Sequence, residues 1–187
     1  MAMDNPFFCR ISLYLLLEIV YCRANTKVFV DVDDCPIPNG LDTRELLVNI
    51  KTSLENQGYF GRVTVNFYGR RDRTECITQL LDVNIFNTFP GTIAQRRTRI
   101  FIDLLYRATE TYKPQNFLII MGDISNHKGF LKSIHKLKSK RRFNFLLAQP
   151  HKASEELHDA VSTEWLWESL TAGGGPINNL SESAQQF

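Results

Sequence analysis

Apolar and polar positions alternate along this chain in two rhythms that take turns. Val28 to Val30 is a short continuous apolar run, the mark of a strand buried on both faces. From Asp42 the rhythm turns helical: Leu46, Leu47, Ile50 and Leu54 fall on one face, and Gly58 ends the segment. Asp42 with Glu45 three residues on resembles a capping box. "RVTVNFYG" alternates Val63, Val65 and Phe67 and predicts a second strand. "TECITQLLD" (74–82) predicts a helix, "VNIFN" (83–87) a short strand, and "RIFIDLLYRATE" (99–110) a helix. "NFLIIMGD" (116–123) is the clearest buried strand, followed by a helix over 127–139 and the strand "FNFLLAQ". Ser154 caps a last helix that turns Leu157, Ala160, Val161 and Trp165 inward.

Strands alternating with helices give an α/β fold: βαβ units around a mostly parallel sheet with helices on both faces. In such sheets the working crevice lies at the carboxyl ends of the strands, where strand order reverses. Two strands end there in acid, "VFVDVDD" and "LIIMGD". Asp31 and Asp33 share a face if the segment stays extended. With Asp123 from a neighbouring strand they predict an oxygen-rich pocket suited to Mg²⁺ or Mn²⁺. The plainer alternatives are a turn held by Asp34 and a helix N-cap at Asp123. Asp103 reads as a surface helix residue pairing with Arg107. The helical wheel puts 97, 100 and 104 on one face and 96, 99 and 103 on another.

Composition changes this picture little. The chain of 187 residues is long enough for one full core, and its formal net charge is only +2. The distribution of charge says more. "RRDR" (70–73), "QRRTR" (95–99) and "KLKSKRR" (136–142) are basic clusters, which favour a polyanion or else line solvated helix faces. Arg96, Arg97, Arg99, Lys138, Lys140 and Arg141 are the expected phosphate contacts, with the last two clusters forming one surface. Four scattered cysteines predict reduced thiols, and no zinc pattern is present. His127, His135, His151 and His158 have no triad partner, Ser125 lacks the G-x-S-x-G context, and Trp165 and Trp167 are expected in packing. "ISLYLLLEIVY" (11–21) is too short to span a bilayer and lacks the basic flank of a secretory signal. The organisation expected is an apolar extension over 1–25, a domain over 26–172 and a disordered tail over 173–187.

"VFVDVDDCPIPNGLD", "NFLIIMGD", "RFNFLLAQPHKAS" and "WLWESLTAGGGP", in this order, resemble the plant branch of NYN domains, related to meiosis regulator and mRNA stability factor proteins. The resemblance covers about residues 26–176. It implies a PIN-like Rossmannoid αβα sandwich and Mg²⁺- or Mn²⁺-dependent endoribonuclease chemistry. It also implies a role in RNA turnover and gene regulation, with single-stranded RNA and possible protein partners. It places the catalytic acids at Asp31, Asp33 and Asp123, and the metal on Asp31 and Asp123. A cytoplasmic setting is expected, with a peroxisome association through the family only. Two family acids are missing: Arg97 stands at one position and Ser125 at the other. A degraded metal site follows as the expectation, with a catalytically inactive RNA- or protein-binding domain as the alternative. Arg97 is expected to pair with Asp31 or Asp123 in place of the cation.

Overall fold

A computed structural model describes residues 19–70, 86–88, 91–140 and 142–177. Six strands form one sheet: β1 Asn25–Asp31, β2 Val63–Gly69, β3 Phe86–Thr88, β4 Gln115–Ile120, β5 Phe143–Gln149 and β6 Thr163–Leu166. Their order is β3-β2-β1-β4-β5-β6, and every neighbouring pair runs parallel. The sequence direction reverses between β1 and β4, so the switch point falls beside Asp31. The helices are α1 Thr43–Asn56, α2 Ile93–Thr109, α3 Lys128–Ser139, α4 Glu155–Ala160 and α5 Trp167–Thr171.

Strand alternation divides the core between the two faces. Val28, Val30, Leu118, Ile120 and Leu146 point to α1 and α5, where Leu46, Ile50, Leu54, Trp167 and Leu170 meet them. Phe29, Phe117, Ile119, Phe145 and Leu147 point the other way, to Ile100, Leu104, Phe130, Ile134 and Leu157. Phe117 organises this second face: its ring centre lies 5.9 Å from Phe29, 5.5 Å from Phe143 and 5.6 Å from Phe145.

The helices start where local chemistry allows. Asp42 caps α1 by accepting from the Arg44 amide rather than from Glu45, and Gly58 follows the helix at φ +83°. Thr92 and Gln95 form a reciprocal capping box on α2. His127 caps α3 through Nδ1, 3.3 Å from the Phe130 amide.

The last helix differs from the sequence reading. α4 stops after six residues, and Ser154 makes no side-chain cap bond. Thr163–Leu166 instead adds a sixth strand, and Trp165 is buried from it. Four residues are too few for a period to show. Beyond α5 the chain stays attached: Ser53 donates to the Gly174 carbonyl at 2.9 Å and the Ile177 amide to the Glu164 carbonyl at 2.7 Å. The expected helix over 74–82 lies outside the described residues.

Candidate active site

Asp31 is the last residue of β1 and points to the α2 face, in alternation with Val30 and Val32. It is 0% exposed. Its Oδ1 accepts the amides of Asp33 at 3.0 Å and Asp34 at 3.3 Å, which folds the chain into a tight turn. The acid-rich stretch is therefore wound around the Asp31 carboxylate, and Asp33 and Asp34 face inward with it.

What meets these three acids is Arg96. Its side chain is 4% exposed, and Nε lies 3.2 Å from both oxygens of Asp31. One terminal nitrogen reaches Asp33 Oδ2 at 3.1 Å and the Gly91 carbonyl at 3.2 Å. The other stands 3.6 Å from Asp34 Oδ1. Arg96 was expected on a phosphate-facing surface; its side chain is instead inside the protein. The buried stripe of α2 runs Arg96, Ile100, Leu104, one residue per turn. The wheel that grouped 97 with 100 and 104 chose the wrong neighbour.

Arg97 lies one step round the helix. Its terminal nitrogens bond Asp34 Oδ2 at 2.9 Å and the main-chain carbonyl of Asp123 at 2.6 Å. It thus pairs with Asp34, and touches Asp123 only through the backbone. Asp34 also accepts the Gly122 amide at 3.2 Å, joining the β1 and β4 ends. Gly122 leaves room for this: a Cβ there would stand 2.9 Å from Arg97 and from Asp34 Oδ2. Arg70 at the end of β2 completes the set, with Nε 3.5 Å from Asp33 Oδ1 and its amide 3.3 Å from Asp33 Oδ2.

Asp123 behaves differently. It is exposed, and its carboxylate accepts the Ser125 amide and hydroxyl, each at 2.8 Å. Ser125 thus holds the Asp123 side chain in a local turn. Asp103 pairs with Arg99 at 3.3 Å and accepts the Tyr68 hydroxyl at 3.1 Å, whereas Arg107 pairs with Glu110. Lys138 turns its ammonium back to the Ala160 carbonyl at 3.2 Å, and burial pulls its pKa down. Arg141 lies outside the described residues.

The two basic clusters also part company. Arg96 and Arg97 sit at the carboxyl ends of the strands, on Asp31 and Asp34. Lys140 and Arg142 lead into the amino end of β5, at the opposite edge of the sheet.

Burial, and then the Asp34 charge, push the Asp31 carboxyl up; Arg96 and the two turn amides pull it back. Among the described residues the local charge closes on itself: Asp31, Asp33 and Asp34 against Arg70, Arg96 and Arg97 is three against three. A divalent cation added here would enter a balanced cluster and have to displace a buried guanidinium. One oxygen, Asp33 Oδ1, is buried with no hydrogen bond from the described residues, but one acceptor is not a ligand set. Among the described residues no three His, Cys, Asp or Glu side chains are grouped to hold a metal ion. As arranged, the residues do not fit Mg²⁺ or Mn²⁺.

Comparison with curated protein sequences gives no significant match. Comparison with family profiles matches residues 25–166 to the NYN domain, a span that runs from β1 to the end of β6. The parallel sheet, the acids at its switch point and this match agree, and the chain belongs to the NYN domain family.

Proposed function

We propose that this NYN domain engages RNA, in RNA turnover and the regulation of gene expression, without a working metal-dependent cleavage centre. NYN-domain nucleases generally use divalent metals held by acids. The observation that carries the reading is Arg96, a buried guanidinium shared by Asp31, Asp33 and Asp34. It supplies as a fixed side chain the positive charge that the acids of an active site draw from a metal. The four sequence blocks support a place in the branch related to meiosis regulator and mRNA stability factor proteins. Free Cys22 and Cys35 suit a reducing compartment, which we take to be the cytoplasm, with the peroxisome as the family's other association. No helix among the described residues is long and apolar enough to cross a membrane.

The test is cleavage of labelled single-stranded RNA with Mn²⁺, beside Mn²⁺ calorimetry. The parent chain is expected to bind RNA, leave it intact and take up no Mn²⁺ at this site. Arg97→Asp with Ser125→Asp leaves Arg96 on Asp31, so metal uptake should stay at the parent level. Adding Arg96→Ser to that pair should create Mn²⁺ binding. Mn²⁺-dependent cleavage by the parent chain that disappears in Asp31→Asn overturns the reading.

A further inference from the structure

At the carboxyl edge of the sheet the arginines lie on acids of the same chain. At the amino edge Arg107 lies on Glu110, but five other cations have no such acid among the described residues. Because the strands are parallel, the residues leading into them share one edge. Arg23 precedes β1 by two residues, Arg62 adjoins β2, Lys113 precedes β4 by two and Arg142 adjoins β5. α3 ends at the same edge and brings Lys140. None of these cations has an ion pair among the described residues. The acids nearby are otherwise engaged: Glu110 is held by Lys27 and Arg107, and Glu55 by Lys51. Asp159, at the end of α4, acts on Lys138.

The exposed aromatic rings gather there too. Phe60 is 61% exposed, Tyr106 61% and Tyr112 87%, and no other aromatic side chain is among the large exposed hydrophobic residues described. Phe60 lies in the loop before β2, Tyr106 in the last turn of α2 and Tyr112 in the turn before β4. The Arg142 guanidinium lies over the Tyr112 ring at 5.7 Å, and that of Arg107 over Tyr106 at 5.8 Å.

The backbone under these side chains is fixed. The Arg62 carbonyl accepts the Thr26 amide and the Arg142 carbonyl the Gln115 amide, each at 2.9 Å. Buried Asn116 donates to the carbonyls of Tyr21 at 2.9 Å and Ala24 at 3.2 Å, and accepts from Asn144 at 3.0 Å. A surface built this way loses little freedom when it binds.

We propose that the amino edge of the sheet is a binding surface for single-stranded RNA, with bases stacking on Phe60, Tyr106 and Tyr112 and phosphates on Arg23, Arg62, Lys113, Lys140 and Arg142. This rests on the RNA reading above and moves the RNA to the edge opposite the acid site. Rings that stand out into solvent accept an unpaired base on a face; a duplex keeps its bases stacked inside and offers them nothing. These cations supply the sequence-independent, salt-sensitive attraction to phosphates.

The experiment uses the full chain and a fluorescent oligouridylate of about twelve nucleotides, a length that spans a typical single-strand site. Affinity is read by anisotropy from about 50 to 200 mM salt. Arg62→Glu with Arg142→Glu should weaken binding by about tenfold or more and flatten the salt slope. Tyr106→Ala with Tyr112→Ala should weaken it by about tenfold or more at an unchanged slope. Circular dichroism and melting should show parent-like folding for both. If the parent chain binds no RNA, the RNA reading above falls, and this surface with it. Binding by the parent that neither variant reduces overturns this surface alone. Loss of binding in Arg97→Ala instead would put the RNA at the carboxyl edge. Equal competition by heparin or duplex RNA would overturn the single-strand assignment.

Discussion

The two edges of the sheet hold the same residue types to different ends. At the carboxyl edge Arg96 is 4% exposed and its partner Asp31 0%. At the amino edge Arg23 and Arg62 stand in solvent and Arg142 covers a tyrosine ring. An arginine facing buried acids becomes part of the core, and removing it strands charge out of water. An arginine facing solvent leaves the fold almost unaffected and keeps its charge for a partner. Counting cations along the chain cannot separate these roles; only the direction of each side chain does.

The comparison breaks most sharply at Arg96. Arg96→Leu leaves Asp31, Asp33 and Asp34 buried without their shared counter-ion and should cost about 3–5 kcal/mol at neutral pH. Arg142→Leu should stay within about 0.5 kcal/mol. pH identifies the cause. Burial already holds the Asp31 carboxyl above its ordinary value, and losing Arg96 removes a pull in the other direction. A carboxyl whose folded pKa exceeds its unfolded one binds more protons when folded. Stability is then lost as pH rises from the unfolded value through the folded one. The Arg96→Leu deficit should therefore be largest at neutral pH and shrink as pH falls towards about 4. Urea unfolding at several pH values reads this, and a deficit constant with pH would mean lost packing rather than stranded charge.

A smaller contrast comes from one glycine at each edge. At the amino edge a Cβ on Gly61 would stand 1.9 Å from the Ala24 carbonyl oxygen, which is backbone. Gly61→Ala must push two chain segments apart and should cost about 1–3 kcal/mol. At the carboxyl edge the nearest atoms to the Cβ of Gly122→Ala would be the side-chain ends of Arg97 and Asp34, each at 2.9 Å. Those ends can swing away, so the cost should be about 1 kcal/mol or less. Thermal melts of the two variants side by side check the order.

How far the sequence foretold this arrangement follows from the length of each pattern. β4 and β5 are apolar runs long enough to be unambiguous, β1 is a shorter run marked by the acids that end it, and α1, α2 and α3 carry several turns of apolar spacing. The parallel sheet and its switch point followed from those elements. β6 and α4 are too short for periodicity to speak. The acid turn was legible as a site because three aspartates at a strand end need compensation. Its counter-ion was not, because Arg96 and Arg97 are adjacent and the choice between them depends on helix phase. Had Arg96 been aligned with Ile100 and Leu104 at four-residue steps, it would have been placed inward. The amino-edge surface was illegible for another reason. Its residues come from loops far apart in the chain, and only the parallel topology brings them to one edge.

The smallest effect belongs to Glu110, the acid that the amino edge holds between Lys27 at 3.3 Å and Arg107 at 3.0 Å. The Arg107 hydrogen bond, chiefly, holds its carboxyl below the ordinary value. A depressed folded pKa gives stability that is present above the unfolded value and lost as pH falls through the folded one. These side chains are partly exposed, so Glu110→Gln should cost about 0.2–1 kcal/mol at neutral pH and low salt, and less in high salt or acid. The same change frees Lys27 and Arg107 and removes a negative charge from the basic edge. RNA affinity should therefore rise, by about threefold or less, while stability falls. Opposite movement of the two readouts is what an RNA surface at the amino edge requires, because the acid there helps the fold and opposes the ligand. Affinity that stays level or falls in Glu110→Gln, measured beside its urea unfolding, would mean that the phosphates bind elsewhere.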